Sequence, residues 1–85
     1  MYEIRYSKHS KKYLMKTQRK FADSIMSELE KLSIDPQSYQ GDWKRMKGVP
    51  FWRLRKGGWR AICEIIESKL VIHVLKIGPR GDVYK

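Results

Sequence analysis

Arg53, Arg55, Arg60, Arg80 and Tyr84 are the residues of this chain whose types and spacing suit phosphate chemistry. Residues 51–55 alternate in the manner of a strand, so Trp52 and Leu54 turn to one side while Arg53 and Arg55 project together from the other. Lys56, Gly57 and Gly58 read as a hairpin turn, and pairing across it brings Trp59 and Arg60 beside those arginines. A turn after the last strand presents Arg80, so the guanidinium groups converge on one concave face. Lys47 and Lys56, in the turns at either end of the arginine strand, add cations for RNA or phosphate binding. A guanidinium offers a planar fork of donors that matches phosphate oxygens, and it stays charged at any physiological pH. When RNA is cut by attack of its own 2′-hydroxyl, negative charge grows on the phosphorane oxygens, and fixed cations aimed there lower the barrier. The reaction also needs one group to take the 2′ proton and another to protonate the leaving 5′ oxygen. For these tasks the sequence offers Tyr84 and arginines. A phenol with a pKa of about 10 is a poor base, but adjacent cations favour its anion. Such a site has to be completed by its substrate, so weak activity on free RNA and strong activity in a larger complex are expected. The competing reading of the same residues is an ordinary solvated basic face.

Other catalytic constellations are missing. No spacing recommends a Ser, His and Asp arrangement, no glycine-rich loop could cradle a phosphate, and no Cys and His spacing suits zinc. Neither a metal nor a cofactor is expected. His9 falls on an exposed helix and reads as solvated, and His73 lies within a strand, where it reads as a hydrogen-bonded structural residue. Cys63, between Ile62 and Glu64, reads as a core thiol.

The elements that must position the arginines follow from periodicity. Residues 2–6 alternate as a first strand, and Ser7 can cap a short basic helix in which Tyr13 and Leu14 face inward. Thr17 is the expected cap of a second helix, whose stripe of Phe21, Ile25, Leu29 and Leu32, joined by Ala22 and Met26, faces the core. Residues 33–36 end it, because the residue before Pro36 is pushed out of the helical region. After a polar loop, residues 43–46, 51–55, 59–66 and 70–77 read as strands, the last apolar enough to be covered on both faces. The expected fold is α+β, an N-terminal strand and a two-helix hairpin packed on an antiparallel meander sheet.

Eighty-five residues make one domain spanning positions 1–85, with no room for a second core. No run approaches the roughly 18 apolar residues of a membrane span, and residues 1–20 lack the apolar centre of a secretory signal, so a cytoplasmic protein is expected. Nineteen Lys and Arg against nine Asp and Glu leave a net charge of +10. Nucleic acid is the first candidate partner for such a surface, because phosphate contacts release counterions and aromatic rings give bases a place to stack. An anionic membrane surface or an acidic protein would also accept the charge.

Residues 47–84, with Gly48, Val49, Pro50, Phe51, Trp52, Arg53, Leu54 and Arg55, then Trp59 and Arg60, and finally Gly78, Pro79, Arg80, Gly81, Asp82, Val83 and Tyr84, resemble the RelE/ParE toxin superfamily. The helix pair ending at Asp35 and Pro36 is similar too, so the likeness spans essentially the whole chain. It implies a microbial-ribonuclease-like fold and a RelE-like mRNA interferase, a metal-independent endoribonuclease that cleaves mRNA in the ribosomal A site, against 16S rRNA, and is neutralised by a cognate antitoxin. Carried onto this sequence, it implies Tyr84 as general base, Arg80 as general acid or stabiliser of the leaving oxygen, and Arg60 as stabiliser of the transition state. Arg53 and Arg55 fall where the best-known RelE toxins carry lysines, and would bind and orient the scissile phosphate. Val83 precedes Tyr84 where a histidine-using branch would place His, which disfavours that mechanism. The other branch, the ParE toxins, shares the fold and inhibits DNA gyrase without a ribonuclease site. A basic nucleic-acid-binding module with no catalysis is the third reading.

Overall fold

The computed structural model describes residues 1–79. In chain order these form β1 (Glu3–Tyr6), α1 (Lys8–Lys16), α2 (Arg19–Ile34), β2 (Asp42–Arg45), β3 (Trp52–Lys56), β4 (Trp59–Ile66), a 3-10 turn (Glu67–Lys69) and β5 (Val71–Pro79). Ser7 caps α1 as expected, its hydroxyl accepting from the Ser10 backbone N–H at 3.0 Å. The same hydroxyl donates to the Leu75 carbonyl at 2.7 Å, and the buried Ser10 hydroxyl donates to the Val74 carbonyl at 2.9 Å. The N-terminus of α1 is thereby fastened to β5.

Thr17 does not cap α2. Its backbone N–H is already committed to the Tyr13 carbonyl in the last turn of α1, and Gln18 takes the cap position without a side-chain bond. The expected stripe of α2 is narrower than its apolar residues suggest. Ala22, Ile25, Leu29 and Leu32 are buried, whereas Phe21 and Met26 remain 49% and 38% exposed. Phe21 instead lines an open depression of about 480 Å³ with Tyr13, Trp59 and Pro79.

The five strands lie in the order β1-β5-β4-β3-β2. The last four form the expected antiparallel meander, with a two-residue turn at Gly57 and Gly58 in which Gly57 holds φ +56. The first strand departs from that pattern: β1 joins β5 in parallel, Ile4 opposite Ile72 and Tyr6 opposite Val74, so the sheet is mixed. The two helices make the crossover that a return to the far edge of the sheet requires. Leu70, expected in the last strand, sits before it with φ 52 and closes the 3-10 turn.

Ile25, Leu29 and Leu32 of α2 meet Leu54, Ala61, Cys63, Ile72, Val74 and Ile77 of the sheet in one core. Burial pushes the Cys63 thiol up to about 12, which fits an inert core thiol. No helix among the described residues is long and apolar enough to cross a membrane.

Candidate functional site

Strand alternation gives the sheet a second face, turned away from the helices, and the register decides which side chains share it. With Leu54 opposite Ala61 in the core, Arg53 and Arg55 must point the other way. Two rungs then run across β2, β3, β4 and β5. The first is Asp42, Arg55, Arg60 and Gly78; the second is Lys44, Arg53, Ile62 and Lys76. Arg53, Arg55 and Arg60 are thus brought together, with Arg55 directly opposite Arg60. Like charges facing one another across a ladder repel, so the pairing does nothing for the sheet and favours an anion between or above them.

Asp42 is the acid of these rungs among the described residues. Its Oδ2 accepts from Arg55 Nε at 2.7 Å and its Oδ1 from Arg53 Nη2 at 3.2 Å. Partial burial opposes its ionisation, but the hydrogen bonds from Arg55 and Arg53 outweigh that and hold its carboxyl below the usual range. Lys47 also joins the arginine face: with Lys44, Arg45, Met46 and Arg53 it lines a depression of about 260 Å³.

Lys56 and Trp59 do not join it. They are partners on the helix side of the sheet, where Trp59 is 8% exposed. The Lys56 ammonium donates to Glu28 Oε1 at 2.7 Å, and the Tyr39 hydroxyl donates to Glu28 Oε2. One step along a strand reverses the side, so of the Trp59 and Arg60 pair only Arg60 reaches the arginines. Arg80 and Tyr84 lie outside the described residues, as does the ending from Gly81 to Val83. The described chain finishes at Pro79, one position beyond Gly78 on the Arg60 rung.

Asp42, Lys44 and Lys76 were not singled out from the sequence. The signal was present for two of them: if Trp43 faces the core, alternation sends Asp42 and Lys44 to the arginine side. Lys76 needed the register of β5, and a bulge shifts that register between Ile62 and Cys63. His73 is on the same face, opposite Arg5 and Glu64, while His9 is exposed on α1. Among the described residues, no three of His, Cys, Asp and Glu gather as metal ligands.

Residues 4–84 match the family described as ParE toxin of type II toxin-antitoxin system, parDE. Among solved structures, a chain of the archaeal RelE-RelB complex from Pyrococcus horikoshii is similar, with TM-score 0.80 and 23% identity over 96% of this chain and 98% of that one. The isolated E. coli RelE toxin superposes with TM-score 0.79 at 19% identity, covering 99% of this chain and 92% of that one. A chain of the intact E. coli RelBE toxin-antitoxin complex gives TM-score 0.76 at 20% identity, over 93% and 96% of the two chains. No curated protein matches in sequence. At these identities the structural likeness speaks for the fold.

Proposed function

Because the chain belongs to the ParE toxin family of type II toxin-antitoxin systems, within the RelE/ParE superfamily, we propose that it is a RelE-like mRNA interferase, cutting mRNA in the ribosomal A site and restrained by a cognate antitoxin. The observation that supports cleavage most directly is the row of Arg53, Arg55 and Arg60 on one helix-free face, with Arg55 opposite Arg60. A scissile phosphate over that row meets guanidinium forks from two strands, so the charge of the phosphorane is stabilised by donors whose positions the sheet has already fixed.

In the proposed reaction Tyr84 takes the 2′ proton, the 2′ oxygen attacks phosphorus, and the bond to the 5′ oxygen breaks as Arg80 stabilises or protonates it. The products are a 2′,3′-cyclic phosphate, or its 3′-phosphate hydrolysis product, and a free 5′-hydroxyl. Arg53 and Arg55 bind and orient the phosphate, and Lys47 extends the track along the RNA. The antitoxin partner is supported by the family and by similar chains solved as RelE-RelB complexes. The same partner chemistry suits a partly acidic segment that folds on the basic face.

A second reading has its own support, since the matching family is described by its ParE members. In that reading the protein inhibits DNA gyrase and the arginine row is a protein-binding face. One experiment separates the two. The purified protein is given mRNA on programmed ribosomes, the same RNA free, and, in parallel, gyrase with supercoiled DNA. The expected result is cutting at the A site with ribosomes and little cutting of free RNA. Equal cutting of both RNAs overturns ribosome dependence, and stabilised gyrase cleavage complexes with intact mRNA establish the second reading.

A further inference from the structure

Asp42 has no part in the cleavage chemistry above, yet it occupies the place that chemistry assigns to substrate. Its two carboxylate oxygens are divided between two guanidiniums, one at 2.7 Å from Arg55 Nε and the other at 3.2 Å from Arg53 Nη2. A phosphate bound by the same pair would present two non-bridging oxygens in the same way. The carboxylate comes from β2, an edge strand of the sheet, and its side chain is 26% exposed, against 21% for Arg53 and 31% for Arg55. Solvent and a competing anion can therefore reach all three.

We propose that Asp42 is an internal substitute for an RNA phosphate, holding Arg53 and Arg55 in the geometry that receives substrate and yielding to RNA when the substrate binds. This rests on the reading of Arg53 and Arg55 as phosphate ligands. Two guanidiniums side by side repel each other and would bind any polyanion; one shared carboxylate holds them together and cancels one of the two charges. An incoming phosphate must replace two charge-assisted hydrogen bonds with two similar ones, so a phosphate arriving alone is barely favoured. An RNA strand that also engages the lysines of the second rung adds those interactions to an even exchange. The carboxylate thereby raises the threshold for loose RNA more than for a strand held in register.

The alternative is that Asp42 only ties β2 to β3. The two roles predict opposite changes in affinity. Binding of an uncleavable 2′-O-methyl oligonucleotide to the full chain is measured by anisotropy over a range of KCl concentrations, alongside a thermal melt. Asp42→Asn is expected to bind about tenfold more tightly, the scale of one charge-assisted hydrogen bond. The log–log salt slope should steepen by roughly 0.7 for each further phosphate neutralised on a single strand. Asp42→Glu, which keeps a carboxylate, should stay near the parental affinity. In the parental protein, which needs no substitution, the Asp42 carboxylate carbon resonance should move on saturation with the oligonucleotide as the guanidiniums leave it. Unchanged or weaker binding by Asp42→Asn overturns the proposal, as does a carboxylate resonance that does not move. If Arg53→Ala and Arg55→Ala weaken binding in the same assay, the phosphate reading survives that failure; if neither does, both fall together.

Discussion

Strand β3 sends cations to both sides of the sheet, and each side answers with a carboxylate. On the helix side Lys56 meets Glu28, whose side chain is 10% exposed and which also accepts the Tyr39 hydroxyl. On the other side Arg53 and Arg55 meet Asp42. The two groups differ in what they join. Glu28 has one close ammonium at 2.7 Å and a phenol that stays neutral, because burial and then the Glu28 carboxylate push the Tyr39 pKa up. Lys31 stands off at 4.0 Å. With Lys31 counted, this carboxylate too has two cations, and the members of the group come from α2, the loop before β2 and the end of β3, so it fastens three parts of the chain. Asp42 faces two guanidiniums, with Arg60 and Lys44 on the same rungs. The Glu28 group ties a helix to the sheet, whereas the Asp42 pairs lie within the sheet, on a face whose rungs carry further cations that attract an added anion. The helix face thus holds elements together, and the open face is the one proposed to bind RNA.

The largest effect that could break this division is kinetic. Tyr84→Phe keeps the ring and removes the hydroxyl proposed to take the 2′ proton, so single-turnover cleavage on saturating ribosome complexes should fall by about 10² to 10⁴. Arg60→Ala should lose roughly 10² or more through the developing phosphorane charge. Glu28→Gln, on the opposite face, should cleave within about twofold of the parental rate once its folded fraction is accounted for. An equal loss in Glu28→Gln would end the separation of the two faces, and parental rates in both Tyr84→Phe and Arg60→Ala would remove the proposed cleavage site.

The arginine face was legible because its logic is local. Alternation over residues 51–55 fixes the side of Arg53 and Arg55, and one hairpin carries Arg60 to them. What the sequence did not disclose is long-range. The parallel pairing of β1 with β5 joins residues separated by both helices, and no local period encodes it. Lys56, expected in the turn, is the last residue of β3, so the alternation that sends Arg53 and Arg55 one way sends it the other, and there it meets Glu28 from a helix 28 positions earlier. Thr17 shows the same limit at short range, since a good capping residue was already in use by the preceding helix.

A smaller effect tests whether the Glu28 group is a fastening at all. Glu28→Gln removes a charged acceptor of two hydrogen bonds, each of a kind worth about 1.5 to 3 kcal/mol when fully buried. Lys56 is 52% exposed and regains water, so a net loss of roughly 1 to 3 kcal/mol is expected. For a domain of this size that is about 4 to 8 °C of melting temperature per kcal/mol. Gly41→Ala approaches the same group from the other side, because a Cβ there would collide with the hydroxyl end of the Tyr39 ring and drive the phenol off Glu28. The double variant should lose less than the sum of the single losses, since both act on one cluster. Full additivity in the melts would mean that Tyr39 and Glu28 are not coupled.

The smallest effect is the pH and salt dependence of the two carboxylates, and it sharpens the contrast between them. The hydrogen bond from Lys56, then that from Tyr39, lowers the Glu28 pKa below its ordinary value despite the cost of burial. A carboxyl whose folded pKa is depressed contributes stability that is complete above its unfolded value of about 4.3, and the contribution is lost as pH falls through the folded value. The melting gap between the parental protein and Glu28→Gln should therefore be full near neutral pH and close as the pH is taken below about 4. Asp42 shifts in the same direction, so the gap to Asp42→Asn closes in acid as well. Salt separates them. Both members of the Asp42 pairs are 21% to 31% exposed, while Glu28, 10% exposed, is paired with a Lys56 that is 52% exposed. Buried charges are screened less than exposed ones, so raising KCl from about 0.1 to about 1 M should shrink the Glu28 gap, whose ammonium stands in water, by the larger fraction. Melts of the three proteins across pH and salt check this. A Glu28 gap that widens in acid, or an Asp42 gap that salt erases first, would reverse the assignment of the two carboxylates.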